Sequence, residues 1–96
     1  MTRFTAMVQI FAEPSAVDEV EMALSKLDNL EALFEVTGEF DIVALFSTAD
    51  NIEFEEFLRR KIRSIEGVRA TAISVVLKDL RAPMRWGTAP KIPRIR

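Results

Sequence analysis

At 96 residues the chain is sized for one domain with a single modest core, and 49% hydrophobic against 29% charged residues reads as globular rather than disordered. It has no Cys, His or Tyr. Disulfides, zinc–thiolate sites and thiol nucleophiles are therefore excluded, and the side chain best suited to proton transfer near neutral pH, also the commonest nitrogen ligand for transition metals, is missing.

The net charge of −2 hides an uneven distribution: residues 1–81 hold nine Lys/Arg against fifteen Asp/Glu, net −6, while residues 82–96 hold Arg85, Lys91, Arg94 and Arg96 with no acid, net +4. An acidic body repels nucleic acid, so no direct nucleic-acid binding is expected of it, and four charges on the tail are a weak case. No apolar run approaches the ~20 residues that span a bilayer, and no basic-then-apolar signal region opens the chain. The expectation is a cytoplasmic protein without a membrane partner.

Residues 4–12 alternate as a strand, with Phe4, Ala6, Val8, Ile10 and Ala12 on one face and Thr5, Met7, Gln9 and Phe11 on the other. With a strand starting this early, no domain is expected in front of it. Glu13-Pro14 ends it; Ser15, with Asp18 three residues on, suggests a helix cap, and Ala16, Val20, Ala23, Leu24 and Leu27 recur at helical spacing. The helix closes near Asp28-Asn29. A second strand over about 30–36 places Leu30, Ala32, Phe34 and Val36 on one face. After the turn Thr37-Gly38-Glu39, a third strand over 40–48 is apolar on both faces, as a central strand covered on both sides would be.

Asp50 with Glu53 reads as the cap of a second helix, whose stripe is Phe54, Phe57, Leu58, Ile62 and Ile65; Glu55 to Arg59 and Glu56 to Arg60 are outward four-residue pairs. Gly67 turns the chain into a fourth strand over about 68–80, with Ile73, Val75 and Leu77 on one face and Val68, Ala70, Ala72 and Val76 on the other. The tail from Ala82 to Arg96, with three of the four prolines, has no periodicity. Trp86 within it is either an anchor in a neighbouring subunit's groove or simply exposed.

The order is βαββαβ, an α+β, ferredoxin-like layer: a four-stranded antiparallel sheet with two helices on one face and strands one and three in the centre. Domain 1–81 is followed by the basic tail 82–96. The helix-free face carries Met7, Phe11, Leu33, Val43 and Leu45, or their opposite-parity neighbours, and needs an apolar cover. A second copy is the simplest cover, so the expectation is a homodimer paired face to face as a dimeric α/β barrel.

Glu39 and Asp41 flank Phe40, but a catalytic pair or hard-metal site would need partners that the sequence does not show; a hairpin turn with solvated acids is the simpler reading. Arg59-Arg60-Lys61-Ile62-Arg63 reads as a salt-bridged solvent face. The three glycines at 38, 67 and 87 sit singly, so no phosphate loop is present, and an RNA-recognition strand signature is missing. No metal, cofactor or catalytic residue is indicated.

Three stretches carry a resemblance: Val17-Asp18-Glu19-Val20, the turn Val36-Thr37-Gly38-Glu39-Phe40-Asp41, and Ile62-Arg63-Ser64-Ile65-Glu66-Gly67-Val68 leading into Thr71-Ala72. Over residues 5–80 the chain resembles the effector-binding (RAM) domain of Lrp/AsnC transcription regulators, in a stand-alone form without the DNA-binding helix-turn-helix. The resemblance implies sheet-paired dimers assembled into octamers or decamers, with a small-molecule effector, usually an amino acid, in clefts between dimers. It assigns Gly38, Glu39, Phe40 and Asp41 to that cleft: Gly38 for backbone approach, and Asp41 to accept an ammonium. Phe40 replaces a common tyrosine and so removes one hydroxyl. Thr71 and Ser74 would add hydroxyls from the last strand. The implied function is a non-catalytic amino-acid sensor that modulates transcription with full-length Lrp/AsnC regulators. The rivals are a monooxygenase-like dimeric-barrel enzyme and a purely structural assembly domain.

Overall fold

The computed structural model describes residues 3–81; the expected basic tail, Trp86 included, lies outside the described residues. In chain order the protein forms β1 (Phe4–Ala12), a single 3₁₀ turn (Pro14–Ala16), α1 (Val17–Ser25), β2 (Leu30–Glu35), β3 (Ile42–Thr48), α2 (Asn51–Phe57) running into a π-helical segment (Leu58–Ile62), and β4 (Val68–Val75). All strand pairs are antiparallel and the order across the sheet is β2-β3-β1-β4. Strands one and three are central, as the right-handed crossover rule requires. The fold is the α+β, ferredoxin-like βαββαβ layer expected from the sequence.

Alternation along the two central strands builds the core. Ala6, Val8, Ile10 and Ala12 of β1 and Ile42, Ala44 and Phe46 of β3 are buried beneath Val20 and Leu24 of α1 and Phe54, Leu58 and Ile62 of the second helix. Two ring contacts tie the second helix to the sheet, Phe4–Phe54 at 5.4 Å and Phe46–Phe57 at 4.9 Å, and a third, Phe54–Phe57 at 6.0 Å, links the two helix rings. All three are tilted, the geometry aromatic quadrupoles prefer. Among the described residues no helix is long and apolar enough to cross a membrane.

Local chemistry departs from the sequence reading in four places. Ser15 does not cap α1: it sits inside the 3₁₀ turn, which Ala16 N–H closes on Glu13 C=O at 2.8 Å, and α1 starts without a side-chain cap. Arg59 pairs with Glu56 at 2.8 Å, and Arg60 with the same Glu56 at 2.6 Å, so Glu55 is left out of the expected outward pairs. The helix also widens after Phe57, with Arg63 N–H donating to Leu58 C=O five residues back at 2.9 Å. Finally, β4 ends at Val75 rather than near residue 80. Its partner runs out: Val75 pairs with Ala6, Val76 N–H reaches Thr5 C=O at 2.8 Å, and β1 begins at Phe4.

Two β-bulges re-sort the sheet faces. Leu30 pairs with Phe46 but Ala32 pairs with Leu45, so Glu31 is the extra residue; Leu30 and Leu33 then face the helices, while Ala32 and Phe34 face away. Leu33 is therefore not on the helix-free face, where the unbroken alternation had put it. In the same way Phe11 pairs with Ala70 and Ala12 with Val68, which makes Arg69 the extra residue and turns Val68 toward the core. The helix-free face consists of Met7, Gln9, Phe11, Ala32, Phe34, Val43, Leu45, Ala70, Ala72 and Ser74, with Phe34 still 58% and Phe11 40% exposed.

Candidate ligand-binding site

The β2–β3 connection is held by its own backbone. Val36 N–H donates to Asp41 C=O at 2.9 Å and closes the loop, while Asp41 N–H donates to Ile10 C=O at 3.0 Å. The side chain continues the clamp, since Ala12 N–H donates to Asp41 Oδ2 at 2.9 Å. One aspartate thus fastens the turn to the end of β1, at the point where the β1–β4 bulge interrupts the ladder. A short acceptor is suited to this position because the Ala12 amide points to the β3 side, past the last β1–β3 pair at Ile10–Ile42, and needs a partner. Oδ1 is left over for another donor.

Gly38 has φ +145°, a conformation that side chains rarely adopt, and a Cβ there would have no atom within 4 Å. Glycine serves here for backbone shape alone, with open space on its outer side. Val36, Thr37, Gly38 and Glu39 are exposed, while Phe40 and Asp41 are half-buried. A molecule lying on this turn would be covered on one side only by its own protomer.

The other two sequence-nominated residues fall apart from each other. Thr71 pairs with Ile10 and so belongs to the helix side of the sheet, where its Oγ1 accepts from Arg63 Nε at 3.3 Å. Ser74 pairs with Met7 and lies exposed on the opposite face. Thr71 shares with Asp41 the end of β1 near Ile10, two strand spacings or ~10 Å across the sheet; Ser74 lies ~10 Å farther along β4. The structure brings the four turn residues together, sets Thr71 across β1 from them, and leaves Ser74 on another surface.

Two features went unnominated. Arg63 and Arg69 border a shallow cleft of about 200 Å³ with Val68, Ala70 and Thr71; Arg69 also stacks over Phe11 at 5.5 Å and meets Glu13 at 3.6 Å. Nothing in the alternation pattern marks Arg69, because its orientation depends on the bulge. The second feature is a carboxyl pair between α1 and β2: hydrogen bonding and charge from Glu35, with desolvation and the nearby Asp18, push the Glu21 pKa up from 4.5 to about 7. Glu21 Oε2 is shielded from solvent and makes no hydrogen bond of ordinary geometry. The upward direction follows even without that bond, from an acid crowded by two others. Among the described residues no group of three or more potential ligands is placed to hold a metal ion.

Comparison with known proteins decides the family. The sequence model of the Lrp/AsnC ligand binding domain matches residues 5–85, nearly the whole chain. The chain belongs to the Lrp/AsnC ligand-binding domain family. An uncharacterized HTH-type transcriptional regulator of Pyrococcus abyssi is 36% identical over 84 residues, which are 88% of this chain and 51% of the regulator. The chain thus spans about half the length of the curated relatives it matches. Among solved structures, a protein of Thermus thermophilus superposes with a TM-score of 0.74 at 29% identity, covering 79% of this chain and 95% of that one. A transcriptional regulator of Neisseria meningitidis, solved as a complex with L-Met, superposes with a TM-score of 0.75 at 23% identity over 80% of this chain and 51% of that one, a likeness of fold. The Lrp/AsnC assignment agrees with the turn and bend motifs that carried the resemblance at the level of sequence.

Proposed function

We propose that this Lrp/AsnC domain is a stand-alone amino-acid sensor: a non-catalytic, cytoplasmic homo-oligomer whose effector sits against the 36–41 turn. Its domain is residues 1–81, with 82–96 as an appended tail. The observation that carries the reading is Asp41, half-buried, with Oδ2 occupied by Ala12 N–H and Oδ1 left over beside an exposed glycine turn. A carboxylate pre-oriented by one hydrogen bond is a good acceptor for an α-ammonium. Gly38, Glu39 and Phe40 would contact the ligand with it. Thr71 and Ser74 lie too far away to complete the same half-site, so in this reading they act from neighbouring protomers.

Exposure of the turn supports a cleft between subunits, and the apolar helix-free face supports sheet-to-sheet pairing into a dimeric α/β barrel. Dimers would then close into octamers or decamers and mix with full-length Lrp/AsnC regulators, which is how a domain without its own recognition helix would reach transcription. The Neisseria regulator's L-Met complex makes methionine a sensible first ligand.

Calorimetric titration with the twenty amino acids, followed by Asp41→Asn, tests this. Asparagine keeps an oxygen for Ala12 N–H while removing the charge, so the fold should survive and affinity should fall by about 1.5–3 kcal/mol, the worth of a charged hydrogen bond. Unchanged affinity with the oligomer intact would move the site elsewhere. Recovery of the ligand chemically unaltered after prolonged incubation is expected of a sensor; turnover would favour the barrel enzyme.

A further inference from the structure

The open edge of β4 borders a cleft that is rich in hydrogen-bond donors and poor in groups to receive them. No strand lies beyond β4, and Val76 N–H donates to Thr5 C=O at 2.8 Å. Alternation along this antiparallel ladder then turns the main-chain groups of Ser74, Ala72 and Ala70 toward β1 and those of Thr71, Ile73 and Val75 outward. Thr71 N–H thus points to the unpaired edge, where Thr71 lines the cleft of about 200 Å³ together with Arg63, Val68, Arg69 and Ala70. Two guanidinium groups reach this cleft from opposite faces of the sheet. Arg63 comes from the end of the second helix, its Nε spent on Thr71 Oγ1 at 3.3 Å and its two Nη groups in no ion pair among the described residues. Arg69 comes from the bulge, stacked over Phe11 at 5.5 Å, with Glu13 only at 3.6 Å, longer than a hydrogen bond.

We propose that this cleft binds a small oxyanion, a phosphate or a carboxylate, held by the Arg63 and Arg69 guanidinium groups and by Thr71. Arg59 and Arg60, one turn earlier, are already neutralised by Glu56, whereas Arg63 has no acid of its own. The bond to Thr71 orients Arg63 without spending its charge, and stacking on Phe11 does the same for Arg69, so both forks are set before a ligand arrives. Thr71 adds two donors: its N–H at the open edge, and its hydroxyl proton, which is free because Oγ1 is the acceptor for Arg63. Apart from Glu13, which already faces Arg69, no carboxylate meets these groups, and that excludes a cation as the occupant. Paired guanidinium forks of this kind suit bidentate recognition of an oxyanion. The cleft is shallow, so it grips the charged group and leaves its carrier in solvent. The inference stands without the amino-acid reading, because Asp41 of the same protomer lies ~10 Å away across β1 and takes no part in it. Where that reading holds, Thr71 brings the cleft to the effector, whose carboxylate is one such oxyanion.

Ligand-observed NMR on the intact protein, at an ionic strength fixed with sodium chloride, tests this with inorganic phosphate and with acetate as probes. Saturable binding is expected; saturation by phosphate alone would mark the ligand as a phosphate compound, and by acetate alone as a carboxylate. Arg63→Gln and Arg69→Gln should each weaken binding about tenfold, the loss of a charged hydrogen bond, and the double variant should abolish it. Thr71→Val should weaken it several-fold. Arg63→Lys keeps the charge but not the fork and should keep only part of the affinity. Circular dichroism and sedimentation should match the wild type throughout. Asp41→Asn should leave phosphate binding unchanged, which separates failure here from failure of the sensor reading. Saturable binding of neither probe would overturn the proposal. So would affinity unaltered in the Arg63 and Arg69 double variant, or full affinity in Arg63→Lys, which would reduce the site to diffuse charge attraction.

Discussion

Single residues in this fold are held by environments that the linear sequence states only in part. Glu21 is an ordinary acid in α1 until β2 brings Glu35 beside it, and its pKa rises to about 7. A folded-state pKa above the unfolded one means that the native protein binds more protons between the two values. The stability attached to the protonated form is complete below about 4.5 and is lost as pH rises through about 7. Glu21→Gln should therefore raise the melting temperature more at pH 8 than at pH 4, and a difference that does not change with pH would refute the pairing. Gly67 is a second such residue. At φ +103° its Cβ would lie 2.8 Å from Ala16 Cβ and 3.0 Å from Val20 Cγ2, so Gly67→Ala combines backbone strain with overpacking. Chemical denaturation should show a loss of about 2–4 kcal/mol. At Gly38, with open space around it, the same change should cost only the strain.

Elements are set by their ends more than by their middles. Asp50 starts the second helix, accepting Glu53 N–H on Oδ1 at 2.8 Å, while Glu53 Oε1 accepts Ala49 N–H at 2.9 Å, a reciprocal arrangement read directly from the Asp-x-x-Glu spacing. Asp50→Ala should cost about 1 kcal/mol in urea denaturation, and Asp50→Ser much less. Thr48 supports the same corner by donating its hydroxyl to Asp50 C=O at 2.8 Å. The first helix lacks such a device, since Pro14 pre-sets a 3₁₀ turn that moves the cap position of α1 to Ala16, one residue beyond Ser15. Capping motifs are short-range, yet they depend on which residue is the last non-helical one, and a single 3₁₀ turn displaces it.

For the whole molecule the consequence is an unfinished surface. The helix-free face bears Phe34 and Phe11 exposed beside half-buried Met7, Val43 and Leu45, and a sheet open to water on such a face gains by pairing. Beyond it, Leu77 is 93% and Leu80 73% exposed where the chain has run past the end of β4 at Val75. Sedimentation of the wild-type protein is expected to show dimers or multiples of them. Leu45→Lys, in the middle of that face, should shift the distribution to monomers with the protomer fold retained; a wild-type monomer at micromolar concentration would remove the basis for an inter-subunit ligand cleft.

Local periodicity and end signals in the sequence alone determined the order βαββαβ, the central pair of strands, the buried stripe of the second helix and the Asp50 cap, because each depends on residues within about one turn or one strand of each other. The turn around Gly38 and the bend at Gly67 were legible for the same reason: a backbone with positive φ selects its residue. Only the tertiary structure decided the two bulges. Whether Glu31 and Arg69 are extra residues depends on how the neighbouring strands align, and one unpaired residue reverses every side chain on one side of it. That is why Leu33 and Val68 turned toward the helices. It also explains why Asp41, recognisable as a turn carboxylate, could not be seen to clamp Ala12, twenty-nine residues away. Bonds of that range are set by the register of a sheet, which no single segment encodes.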